Sequence, residues 1–137
     1  MRFAKAFGAV AVVMLVLDLV WLGVVGKPLY DAALGHLLAE ETVLVAAALF
    51  YVQYVVVVTL YAVLPSLSIS QAARRGAGVG WLAYATYEFT NWAVIEGWPA
   101  SIVVVDVVWG VFLTTLVAVS GRLAAGPPEI RAERSGG

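Results

Sequence analysis

Residues 100–120 read ASIVVVDVVWGVFLTTLVAVS, an apolar run with a single charged side chain, Asp106. About 20 helical residues cross the hydrocarbon core of a bilayer. Comparable apolar runs lie at 6–26, 42–64 and 76–95. We therefore predict an all-α, polytopic membrane protein, a four-transmembrane-helix bundle over 1–125 with a flexible cytoplasmic tail over 126–137.

The overall composition agrees with this fold class. Of the 137 residues, 63% are hydrophobic and 12% are charged, whereas a soluble domain has roughly 45–50% and 25%. The net charge is -1, and no basic patch interleaved with aromatic residues favours nucleic-acid binding. The sequence has no cysteine and only one histidine, His36, which excludes thiolate metal sites and a multi-histidine cage within one chain. We expect neither a metal nor a cofactor.

The distribution of basic residues predicts the orientation. Most of them lie before the first run, between the second and third, or after the fourth, and only Lys27 lies on the other side. Basic residues accumulate on the cytoplasmic side of a membrane. Both termini are therefore expected to be cytoplasmic, and Lys27 to face outward.

The ends of the runs carry helix-breaking and interfacial residues. Gly26-Lys27-Pro28 predicts that the first helix ends at residue 26. Gly76 and Gly80, together with Gly78, give the third helix a small face that lets a neighbour approach closely, and a homo-oligomer could use it. Three tryptophans near the ends of the runs are expected to be interfacial anchors, namely Trp81, Trp92 and Trp98.

Three acidic residues interrupt the apolar runs, and they are the most informative side chains. Asp18, Glu88 and Asp106 lie in the first, third and fourth runs. A carboxylate inside hydrocarbon costs at least about 2.5 kcal/mol and commonly marks function. At about 1.5 Å of helical rise per residue, all three lie roughly 9–12 Å from the outer ends of their helices. We predict that they belong to one functional cluster.

Aromatic and polar side chains share the helical faces of these acids. Trp21 follows Asp18 by three residues, and Trp109 follows Asp106 by three. The other candidates for binding a substrate are Tyr84, Tyr87 and Asn91 around Glu88, and Tyr51 and Tyr54 in the second run. Because lipid offers no hydrogen-bond partner, these polar stripes must face one another. We expect an outer pocket walled by aromatic rings and floored by carboxyl groups.

Acid chemistry is the function that this pocket predicts. Desolvation and mutual repulsion favour the neutral form of a carboxylic acid, so at least one of the three acids is expected to be a proton donor. Indole and phenol faces stabilise a developing cation through cation–π interaction. We predict a cofactor-free cyclase or isomerase that protonates a lipophilic, isoprenoid-like molecule arriving from the membrane lipids. Asp18, Glu88 and Asp106 are its candidate catalytic residues.

Two other classes of function stay open. Intramembrane acids also serve small proton or cation transporters, although the inner half of the predicted bundle offers no ionisable relay. A non-catalytic accessory subunit would instead use the Gly-rich face of the third helix for docking. Replacing the three acids by Asn or Gln separates these classes, because an accessory subunit should tolerate most of these changes.

Several motifs resemble a known bacterial membrane-protein family, domain of unknown function 2177. They are Asp-x-x-Trp-Leu-Gly at 18–23, Phe50-Tyr51, Tyr-Ala-Thr-Tyr-Glu-Phe-Thr-Asn at 84–91, Gly-Trp-Pro at 97–99 and Asp-x-x-Trp-Gly at 106–110. The resemblance covers nearly the whole chain and implies a small polytopic membrane protein, with no assigned activity. We expect the bacterial inner membrane as its location. Glu88 stands where the family pattern leads us to expect Asp. In size, span number and acid-with-aromatic content, the chain is also similar to small bacterial membrane-bound terpene cyclases.

Overall fold

The computed structural model describes residues 1–128, which form four helices and no strand. We number them α1 (Arg2–Leu34), α2 (Leu44–Val63), α3 (Ile69–Val94) and α4 (Ala100–Ala125). The predicted all-helical fold is confirmed. The predicted tail over 126–137 lies, from residue 129 onward, outside the described residues.

Three of the helices, α1, α2 and α4, are long and apolar enough to cross a membrane. α3 is as long as α4, at 26 residues, but it carries more polar side chains. Because α3 packs along α4 and is closely fitted to it, α3 completes the four-helix bundle. The membrane character and the bundle architecture therefore agree with the sequence prediction.

The predicted end of the first helix is wrong, because α1 continues eight residues beyond Gly26, to Leu34. Residues Trp21–Gly26 form a π-helical segment in which the amide of Lys27 bonds to the carbonyl of Leu22. Proline has no amide hydrogen, and its ring collides with the carbonyl four residues earlier in a regular α-helix. The wider π-helical turns relieve that collision, so Pro28 is accommodated in the first turn of the segment that follows.

The observed bounds of α3 and α4 also differ from the predicted ones, mainly on the side of the bundle where the first and last described residues lie. α3 begins at Ile69 rather than at residue 76, and the Ser68 hydroxyl caps it by accepting from the amide of Gln71 at 3.1 Å. α4 continues to Ala125 and stops at Gly126, whose φ of 70° favours glycine. Helices that extend past an apolar run reach into the polar boundary of the membrane.

α4 is the central helix, and α3 lies against it at close range. A methyl group on Gly76 would lie 2.6 Å from the backbone oxygen of Thr114, and one on Gly80 would lie 2.3 Å from that of Gly110. The predicted close approach of a neighbour is therefore confirmed, and the neighbour is α4 of the same chain. Two copies could associate through this face only by displacing α4, whereas Gly78 has nothing within 4 Å.

Polar side chains fix the end that carries both described chain ends, which we call the terminal end. Arg122 is buried and donates to the backbone oxygens of Ser66 at 3.0 Å, Leu67 at 3.1 Å and Gly126 at 2.6 Å. One guanidinium thus joins α4 to the turn between α2 and α3. The opposite end, which we call the distal end, carries the 35–43 and 95–99 connections.

Candidate functional site

The antiparallel register of α3 and α4 brings two of the three acids together. Along α3, Gly76 faces Ala118, Gly80 faces Thr114 and Tyr84 faces Gly110. A further four-residue step along each helix pairs Glu88 with Asp106, and their carboxyl groups lie within hydrogen-bonding reach of each other. Equal steps of about one helical turn explain why the two acids meet.

Glu88 is fully buried, and its two carboxyl oxygens have different surroundings. Oε2 accepts a hydrogen bond from the indole nitrogen of Trp98 at 2.8 Å. Oε1 is buried and has no hydrogen-bond donor among the residues that the structure describes. A proton held between Oε1 and the Asp106 carboxyl would satisfy both groups, because two adjacent carboxylates repel each other.

Asp106 is held by a hydrogen-bonded chain from α1. The Tyr30 hydroxyl donates to Oδ1 of Asp106, and the indole nitrogen of Trp21 donates to the Tyr30 oxygen at 3.3 Å. Tyr30 lies beyond the π-helical segment, in the part of α1 that the sequence prediction left outside the first span. Besides α3 and α4, the pair is therefore contacted by Tyr30 of α1 and by Trp98 of the α3–α4 connection.

Asp18 is also buried, but it makes its own set of contacts. The Tyr51 hydroxyl of α2 donates to Asp18 Oδ2 at 3.0 Å, and the Trp109 side chain lies within hydrogen-bonding reach of the same carboxyl. The indole rings of Trp21 and Trp109 stack at 4.3 Å between centroids and 10° between planes. The three acids therefore do not line one common pocket. Glu88 and Asp106 form a pair, and Asp18 is separate from it, connected only through the stacked indoles.

α2 and α3 separate toward the distal end and leave a groove between them. They pack together mainly through the π-helical segment Val58–Val63 of α2, while Leu44–Val57 leans on α1. The groove has a volume of about 550 Å³. It is lined by Phe50, Gln53, Tyr54, Leu82, Ala83, Tyr84, Thr86 and Tyr87. We refer to it as the α2–α3 groove.

Three of the predicted substrate-binding tyrosines line this groove, namely Tyr54, Tyr84 and Tyr87. The Tyr54 hydroxyl is 2.7 Å from that of Thr114 on α4, and its ring meets the Tyr84 ring edge-on at 6.4 Å. The remaining candidates lie elsewhere. Tyr51 binds Asp18, Asn91 lines a 360 Å³ cavity beside Trp98, and Trp21 and Trp109 line a 520 Å³ apolar groove on the other side of α4.

Two important residues were not predicted. Tyr30 was missed because the first helix was expected to end before it. Trp98 was expected to be an interfacial anchor, but it is buried and bonded to Glu88, because Gly97, with φ 76°, and Pro99 turn the connection back toward the bundle. Trp81 and Trp92 are exposed, as anchors should be.

No group of three His, Asp or Glu side chains within residues 1–128 is arranged to hold a metal ion. The cluster instead offers proton donors and acceptors, namely carboxyl, phenol and indole groups. Such a set can store a proton, pass it on or donate it to a bound molecule. Aromatic rings, rather than basic side chains, surround these proton donors and acceptors.

The helices and their buried acids define a small polytopic membrane protein with a carboxyl pair in its core. The chain belongs to the family described as predicted membrane protein (DUF2177), whose sequence profile matches residues 3–123. This confirms the family resemblance read from the motifs. No curated protein and no solved structure matches the chain.

Proposed function

We propose that this protein is an integral membrane enzyme that protonates a lipophilic, isoprenoid-like molecule and so starts its cyclisation or isomerisation. The observation that carries the proposal is the buried Glu88–Asp106 pair together with the aromatic α2–α3 groove, which Tyr87, the neighbour of Glu88 in α3, helps to line. The one salt bridge in the described part of the chain joins Lys27 to Asp31, so neither Glu88 nor Asp106 is neutralised by a salt bridge there.

The surroundings of the pair favour a stored proton. Burial disfavours a carboxylate, and two carboxylates side by side disfavour each other. Trp98 and Tyr30 each donate to one oxygen of a carboxyl group, and a proton shared between the two acids would give the buried Glu88 Oε1 a partner. A carboxylic acid kept neutral in an apolar site is a strong candidate for a general acid.

The α2–α3 groove supports a lipophilic substrate. Its volume of about 550 Å³ lies within the range of about 300–1,000 Å³ that is usual for small-molecule sites. Its lining combines apolar side chains with Gln53, Thr86 and Tyr87, which each carry a polar group. Such a lining suits a hydrocarbon chain with a few polar atoms, entering sideways from the membrane lipids.

The proposed reaction is balanced in protons. A carboxyl O–H of the pair transfers its proton to an alkene carbon or an epoxide oxygen, which leaves a carboxylate and a carbocation. Tyr84 lies between the groove and α4, and its π face stabilises the cation. The cation then rearranges or closes a ring, and it loses a proton to the carboxylate. No cofactor takes part in this sequence.

The other predicted residues have supporting roles in this scheme. Asp18 orients Tyr51 and borders the stacked indoles Trp21 and Trp109. Asn91 lies beside Trp98, whose indole holds Glu88. We further propose the bacterial inner membrane as the location, with the terminal end, where Arg122 lies, in the cytoplasm and Lys27 on the outer side.

Solvent isotope incorporation tests the proposal. Purified protein in nanodiscs would be incubated in D₂O with a panel of plain and epoxidised isoprenoids, and products would be analysed by mass spectrometry. From a plain isoprenoid we expect a cyclised or isomerised product that carries deuterium on the carbon that the acid protonates. From an epoxide we expect ring closure without retained deuterium, because the deuteron on the hydroxyl exchanges with water. Glu88→Gln and Asp106→Asn should abolish both products, whereas Tyr61→Phe, at an exposed position away from the pair, should not.

Three results would overturn the enzyme proposal. Failure to convert any member of the panel, with proton or cation flux into proteoliposomes that depends on Glu88 and Asp106, would indicate transport. Full function in cells despite replacement of all three acids would indicate an accessory subunit. For an alkene substrate, a product without carbon-bound deuterium would exclude protonation of the alkene as the first step.

A further inference from the structure

We infer that Tyr30 is the proton-relay residue through which the Glu88–Asp106 pair exchanges protons with water at the distal end. This inference rests on the proposed function in one respect. If a product keeps the proton that the pair has donated, the pair must take up another proton before the next turnover. Tyr30 is a positioning residue here, because it acts through Asp106 and does not touch the substrate.

The first argument is the hydrogen-bonded path. The Tyr30 hydroxyl donates to Asp106, Asp106 lies against Glu88, and Glu88 Oε1 is buried without another donor in the part of the chain that the structure describes. The indole of Trp21 donates to the Tyr30 oxygen at 3.3 Å and fixes the phenol from behind. The carboxyl oxygen that lacks a donor therefore lies at the inner end of a path that begins at Tyr30.

The second argument is the position of the Tyr30 ring. Tyr30 is the one residue of this path that lines a distal cavity of about 620 Å³. The same cavity is lined by Lys27, Asp31 and Thr42, whose polar groups suit water. Lys27 and Asp31 pair with each other at 2.8 Å, with both side chains largely exposed. Tyr30 thus joins a cavity whose mainly apolar wall carries these three polar side chains to the buried carboxyl pair.

The third argument is the absence of a comparable path toward the terminal end. On α4, the buried residues on that side of Asp106 include Leu113, Val117 and Ala118, and the Thr114 hydroxyl is bonded to Tyr54 and to the Gly110 carbonyl. The Thr59 hydroxyl of α2 is also buried, without a hydrogen-bond partner among the described residues. Among the described residues, no hydrogen bond connects the Glu88–Asp106 pair to these hydroxyl groups or to Arg122. The path therefore opens on one side only.

The relay step conserves protons and charge. A hydronium ion in the distal cavity gives a proton to the Tyr30 oxygen, while the Tyr30 O–H proton passes to Asp106 Oδ1. Hydronium becomes water, the carboxylate becomes a carboxylic acid, and Tyr30 is unchanged. The titratable groups facing Tyr30 are Asp106 on α4, Glu88 and Tyr84 on α3, and Lys27 and Asp31 on α1.

Infrared spectroscopy can test the relay without a substrate. Wild-type protein in lipid vesicles would be moved from H₂O to D₂O, and the shift of the protonated-carboxyl C=O band would be followed in time. Loss of that band in Glu88→Gln and Asp106→Asn assigns it to the pair. Tyr30→Phe should slow the exchange by at least about ten-fold, and Tyr61→Phe should leave it unchanged.

A second variant keeps the test valid if Tyr30→Phe perturbs the fold. Ala46→Trp narrows the distal cavity and leaves the Tyr30 and Asp106 side chains in the chain, and it should also slow exchange. Exchange at the wild-type rate in folded Tyr30→Phe would overturn the relay. Because the band requires no substrate, slow exchange in Tyr30→Phe with no product from any isoprenoid would uphold the relay and reject the enzyme proposal.

Discussion

The indole nitrogen of Trp98 donates a hydrogen bond to Glu88 Oε2 at 2.8 Å, from the connection between α3 and α4 into the core of the bundle. Trp98→Phe removes this donor and leaves a buried carboxyl oxygen without a partner. We expect a loss of about 1–3 kcal/mol of unfolding free energy, measured by titration with dodecyl sulfate in mixed micelles. Trp92→Phe, at an exposed position on α3, is the control and should be nearly neutral.

The close packing of α3 on α4 gives a second prediction with a matched control. Gly80→Ala places a methyl group 2.3 Å from the Gly110 backbone oxygen, so the helices must separate. We expect a destabilisation of about 1–3 kcal/mol in the same titration. Gly78→Ala changes the same residue type two positions away, where nothing lies within 4 Å. Equal stability of the two variants would contradict the packing described here.

The pairing of Glu88 with Asp106 could be anticipated from the sequence, but only in part. Apolar run lengths and rise per residue placed both acids at similar depth, and the glycines at Gly76 and Gly80 indicated a closely packed helix. Depth alone does not specify which faces meet. Asp18 has a similar predicted depth, yet it binds Tyr51 on another side of α4.

The role of Tyr30 could not be read from helical periodicity. In an uninterrupted α-helix, nine residues at about 100° each turn two and a half times, so Trp21 and Tyr30 would face opposite sides. The π-helical segment Trp21–Gly26 holds more residues per turn and rotates the remainder of α1, so that the Trp21 indole reaches the Tyr30 hydroxyl. Pro28 explains the segment once it is observed, but a proline at this place equally well ends a helix, so the sequence alone does not predict it.

The proposed orientation can be tested by cysteine labelling, because the chain has no native cysteine. Glu41→Cys lies in the distal connection and Ser70→Cys lies near the start of α3, both at exposed positions. In intact spheroplasts, a membrane-impermeant maleimide should label Glu41→Cys, and it should label Ser70→Cys only after lysis. The opposite pattern would place the terminal end outside.

The last prediction concerns where the substrate enters. Ala83 lines the α2–α3 groove, and Ala83→Trp would fill much of it without altering an acid. If the substrate occupies this groove, kcat/KM should fall by at least ten-fold, which corresponds to about 1.4 kcal/mol. Val52→Trp adds the same ring to an exposed position of α2 and should leave turnover unchanged.

Filling the opposite groove decides between the two lipid-facing entrances. Val104→Trp places an indole in the 520 Å³ groove lined by Trp21 and Trp109. Loss of deuterated product in Val104→Trp, with full turnover in Ala83→Trp, would move the substrate to the stacked indoles. The Asp18 carboxyl, which lies within reach of Trp109, would then replace the Glu88–Asp106 pair as the nearest proton donor. Loss in Ala83→Trp alone would keep the donor on α3 and α4, where Tyr84 lines the groove one helical turn from Glu88.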